Sequence, residues 1–176
     1  TALGQNTMTA NTTGTRNIAI GFAAYNSSDT ENDNLAIGYD AMTTNTAGGI
    51  QNIAIGNYAL DGLTSGDSNV AIGYSAMSAT VTGGQNTAVG NSAMEVLTTG
   101  ATNTAVGYVS LDALTTGSNN TAVGWSSLGA TTTANDNTAV GKNSMLINTE
   151  GYSNTAIGIY SLRQNTTGNN NVAVGQ

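Results

Sequence analysis

The chain has no cysteine, no proline and no histidine, and only 7% of its 176 residues are charged. Each absence removes a class of protein. Without cysteine there is no disulfide framework, and without cysteine or histidine there is no zinc or haem site of the usual kind. The same lack excludes a Cys–His or Ser–His catalytic pair. Three cations (Arg16, Lys142 and Arg163) against ten acids leave no basic footprint for nucleic acid. No apolar run approaches the roughly 18 residues of a membrane span, so membrane insertion is not expected. There is no basic-then-apolar leader, although a chain that starts at Thr1 leaves open what precedes it. What is plentiful is Gly (23 residues), with Asn and Thr. Composition alone would suit a low-complexity or disordered tract. The order of the residues argues otherwise.

Glycines recur at Gly4, Gly21, Gly38, Gly56, Gly73, Gly90, Gly107, Gly124, Gly141, Gly158 and Gly175, 17 residues apart except for one step of 18 between Gly38 and Gly56. Four residues before each from Gly21 onward stands an asparagine: Asn17, Asn34, Asn52, Asn69, Asn86, Asn103, Asn120, Asn137, Asn154 and Asn171. With Ala two before and Ile or Val one before, the core motif is Asn-x-Ala-[Ile/Val]-Gly. A small residue follows three positions after the Gly, then a large apolar one such as Met42, Leu60 or Met94. The remaining arc is looser, often Thr-Thr-Gly. The extra residue of the long copy falls there, between Thr43 and Gln51, which marks the arc as a turn region.

A fixed Gly in each unit, with so much Asn and Thr, is poor helix material. A 17-residue unit with one β-rich pentapeptide and Gly corners suits one coil of a parallel β-solenoid, a β-roll or β-helix. The expected architecture is all-β, about ten coils in one repeat array over residues 1–176, a window of a longer fibre. Each coil would add two short strands, stacked at about 4.8 Å per layer into a rod about 48 Å long. The absence of proline spares the ladder its hydrogen bonds. The asparagine column reads as a structural ladder along the axis.

Alternate residues of the motif strand point to opposite faces. One shows Ile or Val with the x position (Ile18, Leu35, Ile53, Val70, then Thr87 to Thr155, then Val172), the other Ala and Gly. A strand uncharged on both faces is normally covered on both. A single solenoid covers only its inner face, so a homo-oligomer wound about a common axis is expected, with small Ala and Gly letting the neighbour approach.

Units such as Asn103-Thr104-Ala105-Val106-Gly107-Tyr108, followed by Ser110-Leu111 and Thr115-Thr116-Gly117, resemble the repeats of tail-fibre-like proteins. The same core is similar to the repeated motif in YadA-like heads of trimeric autotransporter adhesins. The resemblance implies a homotrimeric shaft, spacer or adhesin, extracellular, on a cell surface or virion. It departs in length, since adhesin-head coils are usually shorter than 17 residues.

Little in the sequence carries chemistry. Asp29, Glu31 and Asp33 form an acidic turn whose oxygens would suit calcium. It has no calcium-loop signature and does not recur, so a solvated turn is the favoured reading. The remaining acids are scattered singly, and no catalytic residue, metal ligand or cofactor is expected. Aromatic residues after the motif Gly, at Phe22, Tyr39, Tyr74, Tyr108 and Trp125, are candidates for a glycan-contact ridge or for corner packing. The competing expectation is an ice-binding solenoid, from threonine in five consecutive coils, Thr87 to Thr155.

Overall fold

The computed structural model describes residues 1–45, 48–79 and 81–176. These residues hold no helix and eleven short strands, one per motif copy: β1 (Ala2–Leu3), β2 (Ile18–Ile20), β3 (Leu35–Ile37), β4 (Ile53–Ile55), β5 (Val70–Ile72), β6 (Thr87–Val89), β7 (Thr104–Val106), β8 (Thr121–Val123), β9 (Thr138–Val140), β10 (Thr155–Ile157) and β11 (Val172–Val174). They form one parallel sheet in chain order. The chain is a parallel β-solenoid of about ten coils. Register keeps like on like, with Ala19 beside Ala36 and Ala105 beside Ala122. The 18-residue step leaves it undisturbed, because Leu35 pairs Ile53 and Ala36 pairs Ala54. The inserted residue is therefore absorbed in the turn arc, of which residues 46 and 47 lie outside the described residues.

Each coil contributes one strand, not two. Where a second was expected, backbone N–H groups still bond between coils: Asp40 N–H donates to Phe22 O at 3.0 Å and Met42 N–H to Ala59 O at 2.9 Å. Both residues, however, are left-handed, at φ 50° and 52°. A pleated strand needs strongly negative φ, so the small-large pair is a tight bend that keeps the axial hydrogen bonds without the pleat.

The inside of the coil is narrow. The motif alanines from Ala19 to Ala156 are buried and face a column of large residues: Tyr25, Met42, Leu60, Met77, Met94, Leu111, Leu128 and Met145. Leu63, Leu97 and Leu114 add to this core. With a Tyr, Met or Leu side chain filling each layer, and a second large residue beside it in several coils, the opposite wall has room only for a methyl group, so Ala points in and Ile or Val points out. This reverses the expected role of the Ala and Gly face, which is the interior of the coil and not a surface for a neighbour. Motif glycines turn the corner next to it. Gly90 has φ +143°, and a Cβ there would stand 2.3 Å from the Gly107 carbonyl oxygen of the next coil. Later coils add a hydrogen bond across the interior, as when Ser127 Oγ donates to Ala139 O at 3.0 Å.

Candidate functional site

The asparagine column lies under the start of strands β2 to β11. From Asn17 to Asn154 its members are buried, while Asn171 is half-buried. Each Oδ1 accepts the backbone N–H of the asparagine one coil on: Asn17 from Asn34 at 2.9 Å, Asn52 from Asn69 at 2.8 Å, Asn103 from Asn120 at 2.9 Å, Asn137 from Asn154 at 3.0 Å. From Asn17 to Asn154 each Nδ2 donates to a carbonyl in the turn that closes its coil, 14 residues ahead in Asn69 to Gly83 and Asn103 to Gly117 and 15 in Asn34 to Gly49, where the long copy intervenes. One side chain thus ties the strand start, the turn closing the same coil and the coil above. From Asn17 to Asn154 that leaves no free amide for a ligand or for chemistry.

The outward strand residues make a flat face of two uncharged columns. The inner side of strands β2 to β10 is fully covered, yet Ile20, Ile72, Val106 and Ile157 remain exposed, Ile157 at 43%. The x column is aliphatic over coils with Ile18, Leu35, Ile53 and Val70, then becomes Thr87, Thr104, Thr121, Thr138 and Thr155 in direct register. No charged side chain lies in either column from Ile18 to Val174.

The aromatic residues stand just past the Gly corner, at the margin of this face, and divide into two groups. Phe22 and Tyr39 stack at 5.1 Å and 9°. Tyr39 and Tyr74 are joined by Tyr58, which meets each edge-to-face, at 5.5 Å and 5.7 Å. Beyond the gap at Asn91, Tyr108 is 56% exposed and Trp125 carries the Lys142 ammonium over its ring at 4.2 Å. Tyr58 escaped the sequence reading because Asn57 holds the usual aromatic place. The neighbouring aromatic one residue later was the available signal. Tyr160, under the Arg163 guanidinium at 5.1 Å, repeats the same shift after Ile159.

The acidic turn is not gathered into one site. The Asp33 carboxylate pairs with the Arg16 guanidinium, one oxygen lying 2.7 Å from Nη2, and that pairing holds the Asp33 carboxyl below its ordinary pKa. The Asp29 side chain accepts from the Thr12 hydroxyl. Glu31 is not solvated as a turn acid would be. It is only 3% exposed and folds its Oε2 back onto the N–H groups of Asp29 and Thr30, at 2.9 and 3.0 Å. Glu31 occupies the place that Gly holds in most coils, and its own carbonyl receives Asn17 Nδ2 at 2.7 Å. Three acids with three separate partners do not form a shared ion cradle. Among the described residues no group of three or more acidic side chains stands close enough to hold a metal ion.

A shallow groove of about 370 Å³ runs along the turn arc, lined by Ser65, Asp67, Thr82 and Gln85 among others. Its hydroxyls and single acid give hydrogen bonds to solvent but no nucleophile paired with a base. Comparison with protein families, with curated proteins and with solved structures finds no match to this chain.

Proposed function

We propose that this chain is a non-catalytic, rod-forming segment of an extracellular homotrimeric fibre, of the phage-tail-fibre or surface-adhesin kind, whose copies associate through the strand face. The observation that supports this most is the face itself, two uncharged columns left half-exposed along the whole sheet. Ten layer steps at about 4.8 Å make it roughly 50 Å long, and two side-chain columns make it roughly 15 Å wide. A strip of about 700 Å² is close to the ~800 Å² per partner of a stable protein interface. The resemblance of the repeats to tail-fibre and trimeric-adhesin sequences supports three copies and a place outside the cell. Stiffness follows from main-chain hydrogen bonds between every pair of coils, reinforced by the asparagine column. Exposed rings such as Tyr74 and Tyr108 then serve as contacts for a glycan or receptor.

Sedimentation equilibrium of the soluble chain tests the reading. A mass three times that of the chain is expected, falling to one copy when Ile55→Glu and Val123→Glu place charges on the face. A monomer of the unmodified chain at all concentrations would sink it.

One observation favours a second reading. The threonines from Thr87 to Thr155 are in direct register on a flat surface, which suits an ice-binding array. The two readings compete for one face, because a face covered by another copy cannot meet ice. Thermal hysteresis from a monomeric chain would favour ice binding, and its absence at millimolar concentration excludes it.

A further inference from the structure

Tyr39, Tyr58 and Tyr74 come from three successive coils and meet at the surface, with Tyr58 at 68° to one neighbour and 82° to the other. The near-perpendicular arrangement leaves the three rings differently aimed, unlike the parallel stack of Phe22 on Tyr39. Asp40 holds the coil position of Tyr58 one layer earlier, as the matching bonds Asp40 N–H to Phe22 O and Tyr58 N–H to Tyr39 O show, and Asp61 follows Tyr58 by three residues. Consistent with that placement, burial first, then Tyr39 and the charges of Asp40 and Asp61, raise the pKa of the Tyr58 hydroxyl. Asp61 Oδ1 is shielded from solvent and makes no hydrogen bond. The cations of the chain are engaged elsewhere: Arg16 with Asp33, Lys142 over Trp125 and Arg163 over Tyr160.

Asp40, without a cationic partner, thus stacks on the coil position of Tyr58, with the shielded Asp61 three residues along the chain, next to the exposed rings of Tyr39 and Tyr74, whose faces are electron-rich. Aromatic faces attract cations through their quadrupole, and most strongly cations that shed water easily. A small metal ion is held back by its hydration, whereas a methylated ammonium is large, weakly hydrated and apolar at its rim. We propose that Tyr39, Tyr58 and Tyr74, with Asp40 and Asp61, bind a quaternary ammonium group of the choline type. The cluster lies past the Gly corner, at the margin of the strand face.

NMR titration of the full chain tests this with three probes: choline, its uncharged carbon isostere dimethylbutanol, and sodium ion. Saturable shifts at the three tyrosines are expected with choline in the millimolar range, a strength of roughly 4 kcal/mol. Dimethylbutanol and sodium should bind at least about tenfold more weakly. Tyr58→Leu, and separately the pair Asp40→Asn with Asp61→Asn, should each weaken choline binding about fivefold or more, while Trp125→Leu leaves it unchanged. The double Asp variant carries the test if Tyr58→Leu fails to fold by circular dichroism. Equal affinity for the uncharged isostere, no saturation with choline, or full binding by the double Asp variant would overturn the proposal.

Discussion

Asn86 Oδ1 accepts two hydrogen bonds from Asn103, one from the backbone N–H at 3.0 Å and one from the side-chain Nδ2 at 3.1 Å. Both residues are buried, so neither partner has water as an alternative. The backbone bond repeats along the whole column and the side-chain bond from Asn86 onward, so the column binds each layer to the next at the point where the strand begins.

Removing one rung should therefore cost more than one hydrogen bond. Asn103→Ala deletes the acceptor for Asn120 N–H at 2.9 Å and the donor to Gly117 O at 2.8 Å, leaving buried groups unpaired. A loss of about 3 kcal/mol or more is expected, read from chemical denaturation followed by circular dichroism. Asn103→Asp should be worse at neutral pH, since it sets a buried charge against Gly117 O and Asn86 Oδ1. Amide exchange at Asn120 should quicken in both variants, and unchanged exchange would show that the column contributes little.

The glycine corner gives a sharper contrast. Gly90→Ala puts a methyl carbon 2.3 Å from the backbone carbonyl oxygen of Gly107, which cannot move without breaking the stack. Gly48 also has positive φ, at +105°, but an added Cβ there meets nothing within 4 Å. Gly48→Ala should cost only about 1 kcal/mol of backbone strain, and Gly90→Ala several times that. Equal melting temperatures for the two would show that coil spacing does not depend on the glycine.

Strain is also stored at Val109, a β-branched residue at φ 46°. The equivalent places in other coils hold Asn6 and Asn143, at φ 58° and 54°. Asparagine tolerates the left-handed region, so Val109→Asn should raise stability by about 1 kcal/mol in thermal or urea unfolding. A destabilised variant would mean that the valine side chain contributes packing that outweighs its backbone strain.

Burial, and then the charge of Glu95 working against two backbone hydrogen bonds, raises the Asp112 carboxyl above its ordinary pKa. An acid raised by folding binds its proton more readily in the folded chain than in the unfolded one. Its ionisation therefore lowers stability as pH rises through the interval above the unfolded value of about 3.9, and acidification relieves the cost. Asp112→Asn should melt higher than the unmodified chain at pH 7, with the gap closing below about pH 4. A gap that is the same at both pH values would remove the carboxylate charge as the cause.

Much of this architecture is legible in the spacing of residues. Seventeen-residue recurrence of Asn-x-Ala-[Ile/Val]-Gly points to stacked coils, and the in-phase motif after the long copy points to an insertion outside the ladder. Both are observed in the pairing of Leu35 with Ile53. The second strand was not legible, because the small-large pair reads as extended until the left-handed φ at residues such as Asp40 and Met42 is known. That Tyr58 joins the rings and that Glu31 is buried rather than solvated were illegible for a common reason. Each departs from its column, and only packing shows whether a departure is compensated, by ring contacts in one case and by turn N–H groups in the other.

By itself the sequence determined the period, the stacking register and the residues that begin each strand, because equal spacing along a chain becomes vertical alignment once coils pair in parallel. It did not determine which side of the strand faces inward, since Ile or Val on one side and Ala on the other are both uncharged and both fit a buried position. Tertiary structure decided that. The coil interior holds at least one large side chain in each layer from Tyr25 to Met145, and with it already there only the alanine methyl fits opposite. The larger aliphatic residues are turned outward, and they form the half-exposed face of the sheet.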